Sequence, residues 1–408
     1  MSSETEPSEP AGGWPLIVAL ALCQLVSYGS IYYAFALFIA PMEAELGWSR
    51  TSISGAASLG LLVSGLCAYG MGRWIDRHGG RWLMAAGSLL AVVLLAAWSR
   101  VETAGGFTLV WFGLGVVMAA TQYQALFPVL IRRYRASYRT RITVVTLIAG
   151  FASTVFIPLN HVLIDALGWR QALVVLALGQ LVVCVPVHGL WLRDGGPAGG
   201  TPVPQAAHRP AAGPGPVRRA LGTRTFWGLV LCFSATSLTN SVIAFHAVPL
   251  LDERGFTPGV AVGAIALIGP AQVAARLAVF AAGRRSSTVA IGRVALAVLP
   301  VAFAVLMLWP GSVAALFVFA LAFGGVNGTM TIVRATAVPD LLWREGYGAI
   351  NGVVALPTTF AHAAAPIIAA HMWTTFGGYD TVVWAMAGCA AVAAGAFWFA
   401  VRSAATAG

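Results

Sequence analysis

Long apolar runs alternate with short polar breaks along the whole chain. Arginine, glycine and proline mark the breaks, which leave twelve apolar stretches: 14–41, 51–72, 82–99, 106–131, 142–164 and 170–192, then 225–250, 258–282, 289–309, 312–335, 346–372 and 380–401. A helix needs about 17 to 25 apolar residues to cross a bilayer, so each stretch can be a spanning helix. Residues 294–333 carry no charge, but Pro310-Gly311 divides them in two. The first run, Trp14 to Met42, is too long for the apolar core of a secretory signal. The segment before it carries Glu4, Glu6 and Glu9 and no basic residue, whereas a signal starts positive. The pattern predicts an all-α membrane protein with twelve transmembrane helices, numbered 1 to 12 below.

Composition agrees and removes the soluble alternatives. Of 408 residues, 59% are hydrophobic and 9% charged, against about 25% charged in a soluble domain. The net charge of +10 raises the question of nucleic acid, but the chain has no lysine, and its 24 basic residues are arginines clustered between apolar runs. That is the pattern of cytoplasmic loops facing anionic lipid, so no nucleic-acid partner is expected. The arginine bias places Arg73, Arg77, Arg81, Arg132, Arg133, Arg135, Arg139 and Arg141 inside, with further arginines in the later loops. Only Arg50, Arg100, Arg170 and Arg254 fall outside. Both termini are expected in the cytoplasm of a bacterial inner-membrane protein. All five cysteines lie in apolar runs, without metal-ligand spacing, so neither a disulfide framework, a metal nor a cofactor is implied.

Residues 193–224 differ in kind, being rich in Pro and Gly with scattered Arg, and read as a flexible cytoplasmic linker. They separate a bundle over 14–192 from a second over 225–402, with tails at 1–13 and 403–408. The halves repeat: Pro41 and Gly47 align with Pro249 and Gly255, Gly72-Arg73 with Gly283-Arg284, and Gly168-Trp169 with Gly377-Gly378. Two pseudo-symmetric six-helix bundles with a site between them is a transporter architecture.

The segment after helix 2 reads Gly72-Arg73-Trp74-Ile75-Asp76-Arg77-His78-Gly79-Gly80-Arg81. It resembles the G-x-L-x-D-R-x-G-R-R signature of the major facilitator superfamily, matching at Gly72, Asp76, Arg77, Gly79 and Arg81. The resemblance covers essentially the whole chain and implies a secondary active transporter working by alternating access, not an enzyme. Gly72 and Gly79 are expected to permit a sharp reversal between helices, and Asp76 to act in gating. Within the superfamily the chain is similar to the monocarboxylate transporter and oxalate/formate antiporter branch. Glu45-Leu46-Gly47-Trp48-Ser49-Arg50, Gly150 with Phe156-Ile157-Pro158-Leu159, and His246 to Leu250 carry that likeness. In helix 8 monocarboxylate transporters carry an Asp and an Arg one turn apart; this chain has Gln272 and Arg276.

The resemblance also makes helices 1, 4, 7 and 10 line the cavity, which nominates Tyr28, Tyr32, Gln122, Tyr123, Asn240, His246 and Asn327 as substrate contacts beside Arg276 and Gln272. Arg334, near the end of helix 10, is a gate candidate. No carboxylate lies in mid-helix, so a cation site has no evident residue, and His362 in helix 11 is the candidate proton carrier. The expected cargo is a small organic anion such as a monocarboxylate, with a proton or counter-anion as co-substrate, carried by a monomer among membrane lipids. The alternative is an exporter of a neutral or hydrophobic compound. HExxH and GxSxG motifs are absent, which argues against a membrane enzyme.

Overall fold

In hydrocarbon every backbone N–H and C=O must be satisfied within the chain, and a helix satisfies them locally. The computed structural model describes residues 13–134, 137–193, 215–283 and 287–405. Twelve of its helices are long and apolar enough to span a membrane. In order they are α1 Gly13–Leu46, α2 Ser52–His78, α3 Arg81–Trp98, α4 Ala104–Arg133, α5 Tyr138–Leu167, α6 Trp169–Trp191, α7 Arg224–Glu253, α8 Pro258–Ala282, α9 Thr288–Leu308, α10 Val313–Leu341, α11 Tyr347–Phe376 and α12 Tyr379–Ala405. No strand occurs among the described residues. The N-terminal tail and most of the expected linker lie outside them, but within the linker span Pro216–Leu221 forms a short helix.

The helix ends follow from local chemistry. Side chains of Ser49, Thr103, Thr223, Ser287 and Ser312 accept from backbone amides three residues on, filling donors left open at helix starts. At the repeated glycines the backbone is left-handed, with φ 67° at Gly47, 76° at Gly255, 77° at Gly168 and 76° at Gly377. Only glycine enters that region without strain, so the two halves stop corresponding helices by the same device. Helix 2 departs from its predicted end. It runs on to His78, and so carries most of the signature as helical turns, leaving the reversal to Gly79 at φ 85° and Gly80. The charges of Arg73, Asp76 and Arg77 look like a loop to a hydropathy reading, yet they continue a helix past its apolar part.

Chain contacts divide the molecule into two compact units, Met1–Arg219 with Glu345–Gly352, and Ala220–Arg344 with Val353–Gly408. In the first unit, α2 and α4 touch backbone to backbone: a Cβ on Gly60 would lie 2.6 Å from the Trp111 carbonyl, and one on Gly115 would clash with the Gly60 carbonyl. In the second, α8 and α10 do the same: a Cβ on Gly324 would lie 2.6 Å from the Ile268 carbonyl, and one on Gly328 would clash with that of Gln272. Lipid gives helices no hydrophobic reason to associate, so close packing over small residues supplies the attraction.

Each unit also ties its helix ends with a carboxylate. Glu45 accepts from the Trp169 indole and from Arg170 Nε at 2.8 Å. Glu253 accepts from the Trp373 indole at 2.6 Å and the Tyr379 amide at 2.7 Å. Buried aromatics fill the core beneath. Trp98 packs on Trp111 and Phe38 at centroid distances of 5.3 and 5.6 Å, and in the second unit Phe319 packs on Phe303 and Phe323 at 5.1 and 5.4 Å.

The glycine contacts give a stability test. Gly328→Leu should destabilise the purified protein by about 1–3 kcal/mol, the usual range for overpacking, and lower its melting temperature. Gly70→Ala, with open space at its Cβ position, should leave the melting temperature unchanged.

Candidate functional site

Arg276 lies six residues inside the end of α8 and is 6% exposed. It is held against α10: Nε donates to the Gly328 carbonyl at 3.3 Å, and Nη2 to Gln272 Oε1 and Thr331 Oγ1, both at 3.4 Å. The first of these bonds depends on Gly328, since any side chain there would force α10 off α8. Gln272 is one turn from Arg276, so the predicted pair does share a helix face, with Gln272 orienting the guanidinium. Thr331 is positioned through its own bond to the Asn327 carbonyl at 3.0 Å. These neutral oxygens fix the orientation of the guanidinium within an apolar bundle.

The second unit holds other nominated residues. His362 lies on α11 within electrostatic reach of Arg334. The Ser241 hydroxyl donates to the His362 carbonyl at 2.7 Å, fixing α7 against α11. Asn240 and Asn327 are half-buried. His246 does not fit its nominated role. Its ring nitrogens meet the Tyr379 hydroxyl at 2.9 Å and the Pro366 carbonyl at 3.1 Å. With both nitrogens engaged, the ring joins α7 to α11 and α12 and has no polar atom left for a substrate.

In the first unit the nominated residues collect where two helices lose regularity. Helix α1 winds as a π-helix over Tyr28–Tyr33. Helix α4 breaks at Gln122, whose backbone is extended at φ −83° and ψ −168°. Gln24, fully buried, donates through Nε2 to the Thr121 carbonyl at 2.7 Å and so bridges the break to α1. Around it the Tyr28 ring lies 4.9 Å from Tyr123 and 6.4 Å from the exposed Tyr32, and Tyr123 stacks on Phe127 at 4.9 Å. Buried Gln122 sits at the break itself. Gln24 is among the neutral polar residues that the sequence offers on the cavity-lining helices, with an interhelical hydrogen bond as its alternative role, and such a bond is what it makes. The signal for Gln24 was a lone polar residue in an apolar run, whereas nothing in the sequence marks the π-helical turn.

The signature residues separate into distinct jobs. The Asp76 carboxylate accepts from the amides of Gly348 and Ala349 at 3.0 and 2.9 Å, at the start of α11. An anion at a helix N-terminus meets both unpaired donors and the positive end of the dipole. Gly72 lies within α2, not at the reversal expected of it. A Cβ there would clash with the Gly348 carbonyl, and Gly352 is equally tight against the Tyr69 backbone. Gly72 therefore serves close approach, and Gly79 alone of the two serves the turn. Arg132 braces the end of α2, donating to the Ile75 and Asp76 carbonyls at 2.8 and 2.9 Å. Arg81 Nε donates to the Gly189 carbonyl at 2.8 Å, tying α3 to α6, while Arg77 is exposed.

Residues 20–331 match the family model described as Major Facilitator Superfamily. The chain belongs to that superfamily. Superfamily members with the same fold include the E. coli fucose:proton symporter FucP, at 14% identity over 95% of this chain and 97% of that one, TM-score 0.72. The proton:xylose symporter XylE is similar at 12% identity over 95% and 96%, TM-score 0.68. The human organic anion transporter MFSD10 is similar at 15% identity over 95% and 98%, TM-score 0.67. These likenesses establish the shared fold. No curated protein matches the chain in sequence. Family and helices together make this a multi-pass membrane transporter.

Removing the charge of Asp76 tests the cap on α11. Hydrogen bonds to a charged group contribute about 1.5–3 kcal/mol, so in Asp76→Asn the Gly348 and Ala349 amides should exchange about ten- to a hundredfold faster. Amide exchange read by mass spectrometry checks this, with peptides from α9 as the unaffected control.

Proposed function

We propose that this protein is a secondary active transporter of a small organic anion, a monocarboxylate in type, and that Arg276 binds the carboxylate. The observation that carries the reading is a guanidinium, 6% exposed, inside α8 and oriented by neutral oxygens. Arginine presents a planar fork that two carboxylate oxygens can match. The acidic residues of the chain fall at or near helix ends, in loops or in the N-terminal tail, so the membrane interior is suited to anions and offers cations nothing. Gln272 in place of the acidic residue of monocarboxylate transporters keeps the anion site and removes a titrating group. Coupling to a proton then runs through the substrate or through His362, which Arg334 neighbours.

Tyr28, Tyr32, Gln122, Tyr123, Asn240 and Asn327 are the proposed neutral lining. They offer hydrogen bonds and aromatic faces suited to the uncharged part of such a solute. Asp76 acts in gating: its bond to the start of α11 holds one state of the alternating-access cycle, with Gly72, Gly79, Arg77, Arg81 and Arg334 shaping that end. The membrane is the bacterial inner membrane, both chain ends facing the cytoplasm, as the arginine bias directs.

Binding of a radiolabelled monocarboxylate such as lactate to purified protein tests the reading. Arg276→Gln should abolish binding and Arg276→Lys restore it in part, because an ammonium lacks the two-pronged geometry. Equal affinity in wild type and Arg276→Gln would overturn the anion site and favour the exporter of neutral compounds. In proteoliposomes, Asp76→Asn should insert normally and transport more slowly by shifting the balance of conformations. Wild-type flux in that variant would remove Asp76 from gating.

A further inference from the structure

Both described ends of the 193–224 linker attach to the elements around Asp76. At its start, the Arg193 carbonyl accepts from Arg133. Arg133 follows Arg132 on α4, which grips the Ile75 and Asp76 carbonyls at the end of α2. At its far end, the short helix Pro216–Leu221 lies against the turn that opens α11. Proline suits the first position of a helix, where its missing N–H would have no partner. Residues three apart share a helix face, so Pro216 and Arg219 work side by side. That face grips two consecutive residues. The Pro216 ring sits where Gly346 lacks a side chain, since a Cβ there would lie 2.6 Å from Pro216 Cγ. Arg219 Nη2 donates to Glu345 Oε2 at 2.9 Å.

Gly346 joins this grip to Asp76. Its backbone is left-handed at φ 65°, a conformation that a side chain would strain. Its carbonyl accepts the Ile350 amide at 3.0 Å, which closes the first turn of α11. Gly348 and Ala349 lie inside that turn. Their amides have no carbonyl behind them in the helix, and they are the two that donate to Asp76. The direction in which the chain leaves Gly346 therefore sets where both amides point. We propose that Pro216 and Arg219 are positioning residues, holding Glu345 and Gly346 so that the start of α11 meets the Asp76 carboxylate. The Arg219 and Glu345 side chains are 44% and 71% exposed, and an exposed ion pair holds little by itself. Pro216 seated on Gly346 supplies the rest. The placement of the amides stands without the transport reading. Its consequence, that the linker sets the balance of the alternating-access cycle, rests on Asp76 being a gate.

Amide exchange of the full chain in mild detergent, read by mass spectrometry, tests the placement. In Arg219→Glu like charges meet at Glu345, so the Gly348 and Ala349 amides should exchange about two- to fivefold faster, the scale of one exposed ion pair. Pro216→Gly, which removes the ring, should accelerate the same amides at least as much. Arg219→Glu combined with Glu345→Arg should return them to the wild-type rate. Peptides from α9 should stay unchanged throughout. Because Asp76→Asn already releases these amides, adding Arg219→Glu to it should bring no further acceleration. A wild-type rate in Arg219→Glu or in Pro216→Gly overturns the proposal. So does an acceleration of equal size with and without the Asp76 carboxylate, since the contact would then steady the turn without serving the cap. Flux in proteoliposomes keeps the two readings apart: wild-type flux in Asp76→Asn removes the gate, whereas the exchange rates alone decide the positioning.

Discussion

Arg276 can stand inside an apolar bundle because Gly324 and Gly328 let α10 lie on α8 along the backbone. A helix carbonyl uses one lone pair on its own ladder and keeps the second. At Gly328 no side chain covers that second lone pair, and Nε of Arg276 reaches it at 3.3 Å. Thr331, one turn nearer the end of α10, supplies the next acceptor. A larger residue at 328 would part the helices and hide the carbonyl in one step. Packing and electrostatics are therefore a single constraint here: the contact that holds the two helices together also makes the buried charge tolerable.

The corresponding contact in the first unit, Gly60 on Gly115, holds α2 to α4 with the same geometry but supports no charge. Its chemistry lies further along α4, at the break beside Gln122, where tyrosines and glutamines gather. The two halves share the scaffold, including the glycine stops and the carboxylates Glu45 and Glu253 that receive indole N–H groups, and differ in their interior residues. The arginines assisting these clamps show the same freedom. Arg170 opens α6 and reaches the Ser99 and Val101 carbonyls, whereas Arg254 follows α7 and reaches the Leu306 carbonyl and Asp380. They do a similar job from unrelated positions.

What the sequence disclosed follows from what leaves a periodic or compositional trace. Apolar runs gave the twelve helices, because hydrocarbon thickness fixes their length, and Arg276 stood out as a charge inside an apolar run, six residues from its end. Gly72 was recognisable as a signature residue but was assigned the wrong work. A glycine at a turn and a glycine at a helix crossing look alike until the partner, Gly348, is known. His246 misled for a similar reason, since its two acceptors and donors come from residues more than a hundred positions away.

The irregular backbone completes the picture of how labour is divided. Non-helical or π-helical turns at membrane depth persist only where protein or a cavity satisfies them, and among the described residues they lie in the first unit: at Tyr28–Tyr33 in α1, Gln122 in α4, Gly150 and Phe151 in α5, and Gln180–Cys184 and Val187–Trp191 in α6. Helices α7 and α10, the counterparts of α1 and α4 by duplication, run unbroken. A straight α10 is what Arg276 requires, because its acceptors at 328 and 331 must keep fixed spacing for the guanidinium to span them. The break in α4 comes at Gln122, seven residues past the glycine contact at 115, so the irregular turn leaves that contact whole. The buried charge and the aromatic cluster thus rest on different backbones: an unbroken α10 supplies the acceptors of Arg276, and an interrupted α4 carries Tyr123 against Tyr28.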